Sequence, residues 1–219
     1  HPATTDLVPQ KAFMKFPVFY ALCALLLATI HQVSAVTLVE EGKAKTAIYA
    51  TPELMAADIE MPAKATFEAK QTETFRRRLR ESVHDLAFYL EKIAGTKIEI
   101  RQKPWTKDDQ GVPILIGKYA SQRFGEIEKK TEYHQGWRTC IAKDAIGLQG
   151  ETDESASYAI YEILDRLGCR WFLPGELGES VPTRTTIELE EGDVSSAPST
   201  AYRGLWYGDE AFQRRNRMG

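Results

Sequence analysis

The chain of 219 residues carries 28 basic and 31 acidic side chains, a formal net charge of -3, 43% apolar residues and 3 cysteines. It is too apolar and aromatic for a disordered chain, too poor in cysteine for a disulfide scaffold, and lacks the basic excess a nucleic-acid binder uses against phosphate. Its length suits one domain with a fragment of a second, and falls short of the about 250 residues of a complete (β/α)8 barrel.

Residues 1–13 precede the expected start at Met14. Met14 and Lys15 lead into an uncharged apolar run over 16–30, followed by Val33, Ser34 and Ala35. This is the layout of a secretory signal peptide over residues 14–35, cleaved before Val36. The apolar run is shorter than the ~20 residues a spanning helix needs, so no stable membrane span is expected after cleavage. A secreted or periplasmic location is oxidising. There Cys140 and Cys169 either pair or remain as two buried thiols, and the sequence leaves both open.

Residues 46–50 read as a first strand, and 55–67 give a mixed signal. Over 75–93 the apolar residues Phe75, Leu79, Val83, Leu86, Ala87, Leu90 and Ile93 recur at three- and four-residue steps, which predicts a helix with one buried face, stopped by Gly95. Residues 97–101 alternate as a strand, and 111–117 form a compact apolar strand bounded by glycines, so a βαβ order begins here. Residues 133–142 and 145–148 predict a hairpin turning at Lys143-Asp144. A second helix follows, capped by Thr152 or Asp153, with Ala156, Ala159, Ile160, Ile163, Leu164 and Leu167 on one face and Gly168 past its end. Residues 169–173 and 185–189 read as strands, and the acidic, Ser-rich segment 190–200 reads as a linker. The expected fold is α+β, a single mixed or antiparallel sheet with two main amphipathic helices packed on it.

The succession "ESVHDLAFYLEKIAGTKIEI", "VPILIG" and "AIGLQGETDESASYAIYEILDRLGCRWFLPGE" resembles the N-terminal α/β domain of bacterial α-glucuronidases of glycoside hydrolase family 67. It is also similar to the domain preceding the barrel in family 20 β-hexosaminidases. The resemblance spans about residues 45–189 and is most specific over 147–174. It implies a non-catalytic accessory domain (36–189), the linker, and at 201–219 the first strand of a truncated catalytic barrel. The segment "AYRGLWYGDEAFQRRNRMG" carries a Tyr-Arg-Gly-like start, which by the same resemblance makes Arg203 a sugar-hydroxyl donor at the barrel mouth; Trp206, three residues on, either lines that mouth or faces the interdomain seam.

Glycoside hydrolysis needs two carboxyl groups flanking the scissile bond. The acidic residues here sit where solvation explains them, Asp209 and Glu210 read as loop residues, and the resemblance puts the catalytic carboxylates in later barrel strands. No catalytic residue, metal ligand or cofactor site is therefore assigned. His84 and His134 lack partners at metal-ligand spacing, and no nucleotide-binding glycine loop or nucleophile elbow occurs. Trp171 and Phe172 read as core, Trp105 and Trp137 as possible exposed platforms, and the Arg77-Arg78 and Arg214-Arg215 pairs as solvated or interface charges. The expected partner is carbohydrate, bound through the intact protein; a free-standing carbohydrate-binding or interaction domain is the alternative.

Overall fold

A computed structural model describes residues 34–128 and 130–219, so the signal-peptide reading lies, apart from Ser34 and Ala35, outside the described residues. Its main sheet has six strands in the order β11-β6-β7-β5-β3-β4. These are β3 (Thr46–Tyr49), β4 (Ile100–Arg101), β5 (Val112–Ile116), β6 (Trp137–Ala142), β7 (Ala145–Gly150) and β11 (Gly192–Ser196). β3 runs parallel to β4 and β5, and β5 parallel to β7, while β6 is antiparallel to β7 and β11. The fold is α+β with a mixed sheet, as expected.

The two-residue side-chain period of a strand divides this sheet between two apolar layers. Ile48, Ile114, Ile116, Ile146 and Leu148 face one core, which α2 (Phe67–Ala94) and α4 (Asp153–Arg166) cover. Ala47, Tyr49, Leu115 and Ala145 face the other way, where the short α3 (Lys118–Phe124) adds Tyr119 and Ala120. This third layer was not expected. Its close approach depends on Gly147, where a Cβ would press into the Phe124 ring.

Helix α2 starts eight residues before the apolar repeat does. Its first two turns bury no apolar face, Phe67 itself being exposed, so periodicity cannot mark them; the Thr66 hydroxyl does, accepting the Ala69 N–H at 3.1 Å as an N-cap. At the other end Gly95 takes the left-handed conformation (φ 69°) and returns its N–H to the Glu91 carbonyl. Helix α4 opens on a capping box between Thr152 and Ser155. The segment between β7 and α4 is tight, because a Cβ on Gly150 would collide with the backbone of Ser155 and Ala156.

Smaller elements flank these layers. A small antiparallel sheet joins β1 (Ala35–Glu40) to β10 (Ile187–Glu190) and β2 (Lys43–Ala44), lending Val36, Leu38, Val39, Ile187 and Leu189 to the main core. A two-residue ribbon pairs β8 (Arg170–Trp171) with β9 (Glu179–Ser180) and sets Glu179 opposite Trp171. A one-turn α1 (Pro52–Met55) follows β3.

Two sequence expectations change here. The segment read as a linker carries β11, whose register against β6 runs from Gly192 opposite Ile141 to Ser196 opposite Trp137; every residue of it is exposed, so it has no apolar signature. The strand expected near Arg203 is absent, and 201–209 is irregular before α5 (Glu210–Arg215). A strand needs a ladder partner, and none of the described strands runs beside it.

Leu86 and Leu164 are wholly buried between α2, α4 and the sheet. Replacing either with Ala is expected to cost about 2–5 kcal/mol in urea unfolding. Gly150→Ala is expected to cost about 1–3 kcal/mol by forcing the β7–α4 junction apart.

Candidate functional site

The most heavily built polar site is the seam where 200–219 meets α2 and α4. α5 begins at Asp209, whose side chain accepts the Phe212 N–H at 2.7 Å, and ends in a Schellman motif: Arg217 N–H reaches the Arg214 carbonyl and Met218 N–H the Gln213 carbonyl. Arg217 takes the left-handed position (φ 56°) that glycine usually fills. The turn before α5 has Tyr207 at φ 60° and is tied down by Gln213, which donates to the Gly208 carbonyl at 2.8 Å and accepts the Leu205 N–H at 3.1 Å.

α5 thereby delivers two consecutive guanidinium groups to one carboxylate. Asp85 on α2 accepts Nε and Nη2 of Arg215 at 3.1 and 3.2 Å, Nη2 of Arg214 at 3.3 Å and the Tyr161 hydroxyl at 2.8 Å. Arg214, only 6% exposed, also donates to Tyr161 at 2.9 Å and pairs with Glu81. Arg215 reaches Glu179 at 3.1 Å and lies over the Tyr89 ring, 5.3 Å from its centroid. The Tyr89 hydroxyl donates to Glu179 at 2.6 Å and accepts the Trp171 indole N–H at 2.9 Å. Asn216 closes the chain of contacts by donating to the Trp171 carbonyl at 3.2 Å.

Buried charge is expensive unless its partners are in place, and here they are. Burial works against the Arg214 charge, but Tyr161, Asp85 and Glu81 outweigh it and hold the guanidinium protonated more firmly than usual. Burial, with Asp85 beside it, pushes the Tyr161 phenol up. Burial also opposes the Glu179 carboxylate, yet hydrogen bonds from Tyr89 and Lys92 and the charges of Lys92 and Arg215 keep it below the usual carboxylate value.

A second cluster grips the same segment around Tyr158 on α4. Its ring lies between Arg78 of α2 and Arg203, with centroid distances of 5.7 and 5.3 Å. Arg203 donates to Gln135 Oε1 and the Thr200 carbonyl, both at 2.8 Å, and to the Arg217 carbonyl; its own N–H meets the Gly219 carbonyl at 2.6 Å. Arg78 pairs with Glu154 at 3.5 Å and donates to the Met218 carbonyl. Burial, together with Glu154, pushes the Tyr158 phenol up to about 12.

The residues singled out from sequence are dispersed. Arg203 sits inside this seam, whereas Trp206 is 85% exposed and meets Tyr207 edge-to-face with ring centroids 5.9 Å apart. Glu210 pairs with Arg77 at 3.1 Å. Trp137 is core, not a platform, and Trp105 packs half-buried on the Tyr49 layer. Trp171 is core but Phe172 beside it is exposed. His84 and His134 are exposed, and no group of three or more metal-ligating side chains converges among the described residues. Cys140 and Cys169 are free and buried, with burial raising the Cys169 thiol to about 11. The Arg214-Arg215 pair, read as solvated or interface charge, is the centre of the seam; only its position beside the aromatic Phe212 hinted that it faces inward.

No protein-family model matches the chain, and no curated protein matches it. Among solved structures it is similar to BtGH115A, a family GH115 4-O-methyl-α-glucuronidase with specificity for decorated arabinogalactans, at a TM-score of 0.52 and 16% sequence identity. The match covers 76% of this chain and 19% of that one, so the chain spans about a fifth of the length of the protein it matches. What the two share is the fold. This neighbour is a glycoside hydrolase of a family other than the two that the sequence motifs resemble.

Because the Glu179 carboxylate is held below its ordinary value of 4.5, its contribution to stability is present above that pH and is lost as pH falls through the folded value. Glu73, held at about 2 by its hydrogen bond from Arg76, adds to the same trend. Thermal melts should therefore show Glu179→Gln well below the parent at pH 7 and the two converging as pH drops below 4.5.

Proposed function

We propose that this chain holds the non-catalytic N-terminal domain of an exported, glycan-degrading hydrolase of the α-glucuronidase type. Its role in this reading is to hold the segment that leads into a carbohydrate-active domain. The observation that carries the proposal is the double anchoring of 200–219 on α2 and α4, within a fold shared with about a fifth of a glucuronidase chain. Export is supported by the leader-like residues 14–35, and the family 67 assignment by the motifs over 147–174.

The carboxylates of the seam support a structural role. Glu81, Asp85 and Glu179 are each engaged by arginine or tyrosine donors, which suits bracing better than proton transfer. Arg203 and Trp206 are the substrate-facing residues of this reading. Trp206 offers an open indole face on which the apolar side of a sugar stacks, and Arg203 carries donors toward its hydroxyls once the Gln135 and Thr200 contacts are exchanged. The exposed Trp206-Tyr207 pair also favours a second reading, a carbohydrate-binding domain that acts without catalysis.

Assays on aryl α-glucuronides and aryl N-acetylglucosaminides test the proposal. The 219-residue chain is expected to give no turnover above buffer, and the chain together with the residues that follow it in its gene is expected to hydrolyse one of the two. Turnover by the 219-residue chain overturns the accessory role. Quenching of indole fluorescence by oligosaccharide, without turnover by either protein, selects the second reading.

A further inference from the structure

Between the β11 edge of the sheet and the tail lies a cavity of about 570 Å³, bounded by the start of β6, the end of β11 with the chain after it, α4 and residues 216–218. That volume falls within the range of about 300–1,000 Å³ in which small ligands are held. Trp137, opposite Ser196 in the β6–β11 ladder, gives it an apolar wall together with Pro198 and Met218. Tyr158 and Glu162, one turn apart on α4, line it from the helix, and Arg203 and Arg217 from the tail.

The free charge of this lining is positive. Glu162 is its one acidic residue, and it is taken by Arg166 at 3.0 Å and Arg217 at 3.4 Å. Arg203 makes no ion pair among the described residues: its guanidinium meets oxygens of Gln135, Thr200 and Arg217, all of them neutral. Glu154, the other carboxylate of the Tyr158 cluster, is paired with Arg78. On Arg217, Nε and Nη2 donate no hydrogen bond among the described residues, Nη2 standing 3.8 Å from Asp165.

Two deeply buried donors are also left over. Trp137 is only 9% exposed, yet its indole N–H donates to none of the described residues, whereas the indole of Trp171 has found Tyr89. The Tyr158 hydroxyl is wholly buried and has no hydrogen-bond partner among the described residues. Folded proteins leave few such groups unsatisfied, and each one calls for an explanation. The cavity therefore combines uncompensated positive charge, unused donors and apolar walls, while its one carboxylate is spent.

We propose that this cavity binds a carboxylate carried on a compact apolar ring. The acid group lies toward Arg203 and Arg217 and accepts the Trp137 indole N–H, and the ring packs on Pro198 and Met218. A sugar ring suits the cavity less well, because its hydroxyls ask for acceptors that Glu162 no longer supplies. Binding here requires no glycosidase activity, so it stands or falls separately from the proposed function.

The indole N–H resonance of Trp137 in the full chain, followed by heteronuclear NMR during titration with benzoate, benzyl alcohol, acetate and D-glucuronate at constant ionic strength, provides the test. Benzoate is expected to shift this resonance and the Arg217 amide saturably. Benzyl alcohol lacks the charge, acetate the ring and glucuronate the apolar surface, and each is expected to bind at least about tenfold more weakly. Arg217→Gln is expected to weaken benzoate binding about tenfold, and Ser196→Tyr, which fills the cavity from the exposed end of β11, to abolish it; both variants are checked for an unchanged melting temperature. Benzyl alcohol binding as tightly as benzoate removes the acid requirement, acetate binding as tightly leaves a generic anion effect, and glucuronate binding as tightly removes the apolar requirement; any of the three overturns the proposal. So do shifts located elsewhere, no shifts at all, or full affinity in either variant.

Discussion

The Asp85 carboxylate is the constraint on which the arrangement of the tail depends. It is buried on the flank of α2 beside the helix's apolar face, between Tyr161 of α4 and the two arginines of α5. Left alone in that position it would be a desolvated charge, whose cost is several kcal/mol. Paired with two guanidinium groups and a phenol, it ties three helices together in one geometry. The bidentate bonds from Arg215 add direction to the attraction, which a lysine at that position would not supply.

Everything upstream serves to place this group. The apolar phase of α2 fixes its rotation on the sheet, so that Leu86 and Leu90 point inward and Asp85 and Tyr89 fall on the flank nearest α4 and β9. The β8–β9 ribbon brings Glu179 opposite Trp171, and Trp171 in turn orients Tyr89 through its indole N–H. Tyr89 and Tyr161 both meet the Trp171 ring edge-to-face, with centroids 5.1 and 5.8 Å apart, so the polar cluster rests on an aromatic base. An ion-pair network on such a base holds the tail in one geometry, because its groups are spent on one another.

The helices were legible in the sequence because burial of one helical face imposes a period, and because threonine and glycine mark the ends by their own chemistry. Leu79, Val83, Leu86, Leu90 and Ile93 are buried as their spacing requires, Gly95 caps as expected, and of the two expected N-caps it is Thr152, not Asp153, that caps α4. The exposed elements were not legible. The first turns of α2 and all of β11 bury no apolar face, Phe67 and Val194 being exposed, so nothing periodic distinguishes them from a loop. The seam was hidden for a different reason. Arg215 and Asp85 lie 130 residues apart, and a charged residue read locally is assigned to solvent unless its distant partner is known. Arg203 was singled out by resemblance alone, and its engagement by Gln135, 68 residues earlier, has no local sign either.

Hydrogen exchange at the amides of Arg217 and Met218, compared between the parent chain and Asp85→Asn, tests the central claim most directly. If Asp85 holds the tail, these amides exchange slowly in the parent and far faster in the variant, while the amides of α2 around Leu86 keep their protection. Exchange of Arg217 and Met218 at the rate of an unfolded peptide in the parent chain, or no change on removing the Asp85 charge, would contradict it.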